Sequence, residues 1–347
     1  MRDVGRIGKR NCRFPQYRLN GLQYRKGMTK VPSKPSSLNR RSFVQLAGAA
    51  CVSNVFGAAV AQSNPTSSSP HRSPLRLGVV VSIEEGGSID KAIEGVRALG
   101  LATCQIGFAH LTPDVAAPLK NALAKYQVEA TAFSEHGPGV RVFNFYDGPG
   151  TIGIIPPATR QARIRNLKLA ADLAAECNIP AIHTHCGFIP EDPNDSIYSQ
   201  AVAAVKEVAA HCKTRGRSFL CETGEETPIT LLRLIEDVGL DNVFVNLDLA
   251  NLILYGKGNP VDAMDVIGHR VRGIHAKDGL FPTDPRNLGK EVPFGEGKVD
   301  FPTVFQQLKQ VNYQGPVTIE RETPGDRKKQ ILQSKVFLEN LLSKVYG

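Results

Sequence analysis

Four residues of this chain have the types and positions to share one metal ion. Glu222 in CETGEET, Asp248 in NLDLAN, His275 in IHAKDG and Glu320 in TIERET each close an apolar, β-rich run. Asp248 poses the sharpest question, because VFVNLDLANL surrounds it with Val, Phe and Leu and offers no basic partner close by. An isolated buried carboxylate is very costly, so Asp is rarely buried unpaired. Three carboxylates and one imidazole brought to a point form a divalent-cation site, and that ion would be the partner Asp248 lacks. The donor set favours Mn²⁺ or Mg²⁺, and the imidazole also admits Co²⁺, Fe²⁺ or Zn²⁺. About one ion per chain is expected. Taken singly, each residue has ordinary structural uses such as helix capping. Four in register at consecutive strand ends point to a site, since perturbed acids cluster at functional clefts.

Other polar residues accompany the four. His183 and His185 in HTHCGF are two apart and share one side of their strand. His185, nearer the C-terminal end, is the candidate substrate contact, and His136 in FSEHGPG is placed similarly. Lys277 can hold a substrate oxygen or pair with an acid. Asp278 before Gly279 reads as turn chemistry, and Arg321 with Glu322 as a solvated ion pair. His211 and His269 lie in helical patterns and read as structural. Two connections, GPGVRVFNFYDGPGTIGIIPPATR after the third run and FPTDPRNLGKEVPFGEGKVDFP after the seventh, have the length of lids or binding loops. Gly295 and Gly297 in the latter read as turn glycines.

The elements that must position these residues follow from periodicity. Strands are predicted at about 75–83, 103–109, 129–135, 180–186, 218–223, 243–249, 271–277 and 316–321. Helical patterns lie between them, among them 159–177, 195–215, 228–238 and 325–345, and RNLKLAADLAAEC shows the 3.6-residue apolar period. Eight strands alternating with helices predict an α/β fold, a (β/α)₈ TIM barrel over 75–347. The strands read as near-continuous hydrophobic runs, as parallel strands covered on both faces should. An open doubly wound sheet would carry a Gly-rich phosphate turn after its first strand, and SIEEGGSID lacks that spacing.

The formal charge of +9 suggests nucleic acid, but its location argues against it. Residues 1–41 hold twelve Lys or Arg and one acid, and residues 42–61 hold no charge. From Gln62 onward 30 basic residues meet 32 acidic ones, a net of −2, with no basic cluster to make a DNA-binding face. Arg40-Arg41, the weakly hydrophobic run after them and AVA at 59–61 read as a twin-arginine-type signal peptide within 1–61, with Met28 a second candidate start. A Ser/Pro-rich linker, 62–74, follows. Export to the periplasm is therefore expected, with no stable membrane span after cleavage. The Cys spacing shows no disulfide framework, so most thiols are expected to be small core residues.

At this point the chain resembles the sugar phosphate isomerase/epimerase superfamily, with a xylose isomerase-like barrel over about 75–345. CETGEET, NLDLANLILYGKGNP, GIHAKDG, FGEGKVDFP and TIERE carry the resemblance. It implies that Glu222, Asp248, His275 and Glu320 are metal ligands and that Glu222 and Glu320 double as acid/base residues. The superfamily also includes inosose dehydratases, hydroxypyruvate isomerases and an endonuclease for abasic DNA. Ketohexose 3-epimerases carry a His three residues after the metal Asp, where this chain has Asn251, an expected substrate contact. They carry an Arg six residues after the metal His, where this chain has Phe281.

The expected chemistry is proton transfer at a carbon next to a carbonyl, in a small-molecule sugar or polyol ketone. Inosose-type dehydration or 3-keto-sugar processing are alternatives on the same site. A non-catalytic sugar-binding barrel is the rival from another class, and the four-residue set argues against it. A homo-oligomer is compatible with the sequence and is not specified by it.

Overall fold

The computed structural model describes residues 73–347; the expected leader, its cleavage point and most of the 62–74 linker lie outside the described residues. Ten strands are described: β1 (Arg76–Ile83), β2 (Thr103–Phe108), β3 (Glu129–Ser134), β4 (Ala181–His185), β5 (Ser218–Glu222), β6 (Val243–Asp248), β7 (Val271–Ala276), β8 (Asp278–Leu280), β9 (Lys290–Val292) and β10 (Pro316–Ile319). Eight of them close a barrel in the order β1-β10-β7-β6-β5-β4-β3-β2, every pair parallel. This is the predicted TIM barrel. The unpredicted addition is the antiparallel β8–β9 pair, built into the connection after β7.

Alternation along each strand separates two environments. Phe219, Cys221, Val243, Val245, Leu247, Ile274, Val317 and Ile319 belong to the apolar layer beneath the helices. Their neighbours point into the barrel, because successive side chains of a strand face opposite ways. Ala132, Ala181, Leu220 and the partly buried Phe244 fill its lower interior. Above them lie polar residues, Gln105, His183, Asn246 and Thr318, each at most 1% exposed. The four candidate ligands come next, at the C-terminal ends where barrel enzymes hold their chemistry.

Long helices pack outside, including Pro157–Glu176, Ser196–Thr214, Pro228–Val238 and Arg327–Tyr346. The helix after β5 starts abruptly because Thr227 caps the amide of Thr230 and Pro228 presets the first turn. Among the described residues no helix is long and apolar enough to cross a membrane. The five cysteines there are free, four of them buried.

Asp278 does organise a turn, on a larger scale than its neighbour Gly279 suggested. Fully buried, its carboxylate accepts from the amides of Gly279 (2.8 Å), Gly295 (2.8 Å), Gly297 (3.0 Å) and Val299 (3.2 Å). Gly297 is required, since a Cβ there would overlap Asp278 Oδ1. Asp278→Ala leaves these amides without their acceptor and is expected to lower unfolding stability by about 3 kcal/mol. A shift of the urea midpoint at unchanged slope checks this, and a shift under half that size would assign the loop's order elsewhere.

Candidate metal centre

Glu222, Asp248, His275 and Glu320 converge: each offers one donor atom, and the four atoms all lie within 4.8 Å of one another. They come from β5, β6, β7 and the end of β10, four adjacent strands. His275 Nδ1 sits at the centre, 2.8 Å from Glu222 Oε1, 3.3 Å from Glu320 Oε2 and 3.7 Å from Asp248 Oδ2. The opposite nitrogen, Nε2, lies 2.5 Å from Gln105 Oε1, while Gln105 Nε2 donates to Asn246 Oδ1 at 3.1 Å. That chain fixes the amide so that Nε2–H of His275 donates to Gln105, away from the cluster, and Nδ1 faces the carboxylates. Metal-ligating histidines are commonly oriented in this way by their second nitrogen.

Asp248 has a cationic partner that the local sequence did not reveal. Lys277 Nζ lies 3.5 Å from Asp248 Oδ2, 2.6 Å from Glu320 Oε2 and 2.7 Å from Glu322 Oε2. The other Asp248 oxygen, Oδ1, accepts from the amides of Ala250 (2.8 Å) and Asn251 (2.7 Å). Burial still pushes the Asp248 acid up to about 7, with Lys277 opposing and Glu320 adding to the rise. Burial would also raise Glu222 and Glu320, but imidazoles around the one and Lys277 beside the other hold both well below the usual range. His275 and Lys277 are desolvated, yet the surrounding carboxylates keep both protonated well above their ordinary values. The cluster thus draws positive charge. Asp248 Oδ2 and Glu320 Oε2 are buried without a well-directed hydrogen bond. Two such oxygens facing the same point as an imidazole nitrogen and a third carboxylate fit a hard divalent cation.

The expected substrate contacts divide into two groups. His185 Nδ1 meets Glu225 at 3.1 Å, and its Nε2 stands 3.7 Å from Glu222 Oε2. Burial opposes a charge on His185, but Glu225 and Glu222 raise it to about 10. Asn251 and Lys277 are buried together, Nζ lying 3.4 Å from Asn251 Oδ1. His136 stacks on His185 with ring centroids 5.7 Å apart. Burial, then His185 and Arg141, push His136 down to about 3. Of these four residues only His136 borders the large cavity described below. His183, ranked behind His185 from sequence, lies 3.1 Å from Glu222 Oε2 and packs edge-on to His275. Arg321 and Glu322 are not a pair. Neighbouring residues at a strand end point opposite ways, so Arg321 reaches Glu291 at 2.7 Å and Glu322 reaches Lys277.

The long loop after β3 crosses the mouth. β3 and β7 are four strands apart either way round the barrel, so their loops rise from opposite sides. They meet through the Asn144–Asn287 bridge, the Phe145 amide on the Arg286 carbonyl (3.0 Å) and the Arg286 guanidinium over Tyr146. Arg163, fully buried, anchors the strap by donating to the carbonyls of Pro138, Val140, Thr151 and Gly153 at 2.7–3.1 Å. Phe281, in the loop after β7, is exposed.

On the β10–β1–β2–β3 side of the strap lies a cavity of about 470 Å³, walled by Glu320, Glu322, His136, Glu135 and the ends of β1 and β2. Glu135 is 2% exposed and accepts from the Phe108 amide (3.0 Å) and Asn166 Nδ2 (3.2 Å). Burial raises it from 4.5 to about 7, against those hydrogen bonds and Arg141. An acid with a higher pKa folded than unfolded holds its proton more tightly in the native state. Its contribution is full below about pH 4.5 and is lost as pH rises through about 7. Glu135→Gln removes that decline, so between pH 4.5 and 8 the variant should gain about 3 kcal/mol on the wild type. Denaturation at several pH values checks this, and parallel curves for the two proteins would show Glu135 to titrate normally.

Known proteins agree with the fold. The chain is 26% identical over 209 residues to the uncharacterized protein MJ1311 of Methanocaldococcus jannaschii, covering 54% of this chain and 68% of that one. It is 35% identical over 99 residues to the L-ribulose-5-phosphate 3-epimerase UlaE of Shigella boydii, covering 28% of this chain and only a third of the epimerase's length. A solved xylose isomerase domain protein from Planctomyces limnophilus superposes with a TM-score of 0.72 at 30% identity, over 78% of this chain and 99% of that one. The family described as xylose isomerase-like TIM barrel matches residues 93–341, and the chain belongs to that family.

Proposed function

We propose that this protein is a divalent-metal-dependent isomerase or epimerase of a ketone-bearing sugar or polyol, moving a proton at a carbon next to the carbonyl. The observation that carries the reading is the pair Glu222 and Glu320. They come from the outer two of four adjacent strands and both reach the nitrogen of His275 that faces the cluster. Glu222, Asp248, His275 and Glu320 would hold the ion. When bound, it supplies Lewis-acid stabilisation of negative charge on the carbonyl oxygen.

The chain's own residues supply the rest. The imidazoles near Glu222 and the ammonium of Lys277 beside Glu320 keep both carboxyls ionised, the state in which a proton acceptor must start. One glutamate removes the proton and the other returns it. Return to the opposite face epimerises, return to the neighbouring carbon isomerises, and loss of a hydroxyl instead dehydrates. Gln105 orients His275, Glu225 holds His185, and the strap limits water above the centre. The L-ribulose-5-phosphate 3-epimerase match supports a sugar epimerase, and the exported location expected of the leader goes with an unphosphorylated substrate. The test is uptake of solvent deuterium by a panel of ketoses, keto-inositols and 3-keto-sugars, with the products identified by NMR. A carbon-bound deuterium next to the carbonyl is the expected result. No uptake by any member from metal-loaded protein would overturn the reading.

A further inference from the structure

Glu135 is a buried acid that the proton transfer does not use. Of the four cluster residues only Glu320 borders the 470 Å³ cavity, and Glu135 borders it too. Glu320 follows β10 and Glu135 follows β3, three strands further round the barrel. The intervening strand ends give this space small side chains, Ser82, Gly107 and Ala109. Ala132 lies in the barrel interior and Phe133 in the apolar layer, so by alternation Glu135 turns outward, toward the helix Pro157–Glu176. There its carboxyl accepts from Asn166 Nδ2 of that helix at 3.2 Å and from the Phe108 amide at 3.0 Å. Two fixed donors hold it rigidly, as a specificity contact needs. Each oxygen keeps a further acceptor position. Burial raises its acid to about 7, so near neutral pH it meets a hydroxyl as donor or acceptor. A charged group suits the place less. An anion would face the carboxyl itself, and a cation would face Arg141 and Arg165 of the same lining.

A ketose frees its carbonyl only when its ring opens, and the hydrogen beside the carbonyl is acidic only then. With that carbon at Glu320, the rest of the open chain runs along the cavity toward β3. We propose that Glu135, positioned by Asn166, receives the hydroxyl at the far end of that chain and so selects open-chain ketoses that carry one. This rests on the reading of the metal centre given above. A ketose lacking the hydroxyl leaves the buried carboxyl without its partner, which is how a hydrogen-bonding site rejects an analogue.

The experiment uses the metal-loaded full-length protein. Each ketose that exchanges deuterium is paired with its analogue lacking the terminal hydroxyl, as D-fructose with 6-deoxy-D-fructose, and calorimetric binding is read on the same pairs. Wild-type protein is expected to prefer the hydroxylated member at least about tenfold in kcat/KM, the scale of one hydrogen bond. In Glu135→Leu that preference should fall below about threefold, while Glu135→Gln, which keeps an acceptor and a donor, should retain most of it. Asn166→Ala leaves Glu135 in place without its anchor on the helix, and is expected to raise KM for the hydroxylated member about fivefold with kcat within twofold. That variant decides the matter if Glu135→Leu does not fold. A purely structural Glu135 would slow both members alike. An unchanged preference in folded Glu135→Leu, no preference in the wild type, an unchanged KM in Asn166→Ala, or exchange confined to cyclic ketones would each overturn the contact. Binding that prefers the hydroxylated member and loses that preference in Glu135→Leu, with no exchange on any ketone, would support the contact and overturn the proton-transfer reading. Absence of both binding and exchange for every ketose would overturn the contact.

Discussion

Glu222→Gln, loaded with metal, is expected to lose solvent exchange into its substrate by a factor of roughly a hundred or more, the usual scale for removing a general base. The amide keeps an oxygen for the contact to His275 Nδ1 and nearly the same volume within a shell that is 2% exposed. It cannot accept a proton. Glu320→Gln should fall by a similar factor, with one distinction. Lys277 lies 2.6 Å from Glu320 and also touches Asp248 and Glu322, so it retains partners when Glu320 is neutral. The fold should survive both changes, because the apolar layer under the helices is untouched. Full exchange in both variants would remove the glutamates from the mechanism.

The second large effect concerns the ion. Wild-type protein is expected to hold about one divalent cation per chain, and His275→Ala or Asp248→Asn to hold almost none at the same free metal concentration. Asp248→Asn is the sharper probe. Its remaining oxygen can still accept from Ala250 and Asn251, so the turn after β6 stays in place while a charge leaves the centre. Gln105→Leu gives a graded control. Beside Asn246 it meets His275 at the nitrogen turned away from the cluster, and a loss of 10–100-fold in affinity is expected for such an outer partner. Full occupancy in both ligand variants, measured by elemental analysis after mild purification, would show that these residues do not hold the metal.

Much of this arrangement was legible in the residues themselves. The eight barrel strands stood out because strands covered on both faces are nearly continuous in Val, Ile, Leu and Phe. The four converging residues stood out as a set: each acid or imidazole alone has ordinary structural uses, but four at the ends of consecutive runs share few such explanations. What sequence could not show were partners joined only by closure of the barrel. Gln105 and His275 are 170 positions apart, and nothing local marks Gln105 as the residue that orients an imidazole. Lys277 lies 29 residues beyond Asp248, yet adjacent strands bring it within 3.5 Å. Glu225 sits in the quoted CETGEET, but its role appears only when β4 brings His185 beside it. Arg163 was hidden inside an amphipathic helix pattern, where a buried cation bonded to four carbonyls has no periodic signature. The β8–β9 pair was missed because three-residue strands are too short for alternation to register.

The central claim, that this centre moves a carbon-bound proton with a metal's help, is tested most directly by one measurement. Deuterium uptake next to the substrate carbonyl is followed by NMR in D₂O with the protein as purified, after chelation and after reloading with Mn²⁺ or Mg²⁺. The prediction is uptake that falls to background on chelation and returns on reloading, in the wild type and not in Glu222→Gln. Uptake that persists undiminished in fully chelated protein would contradict it.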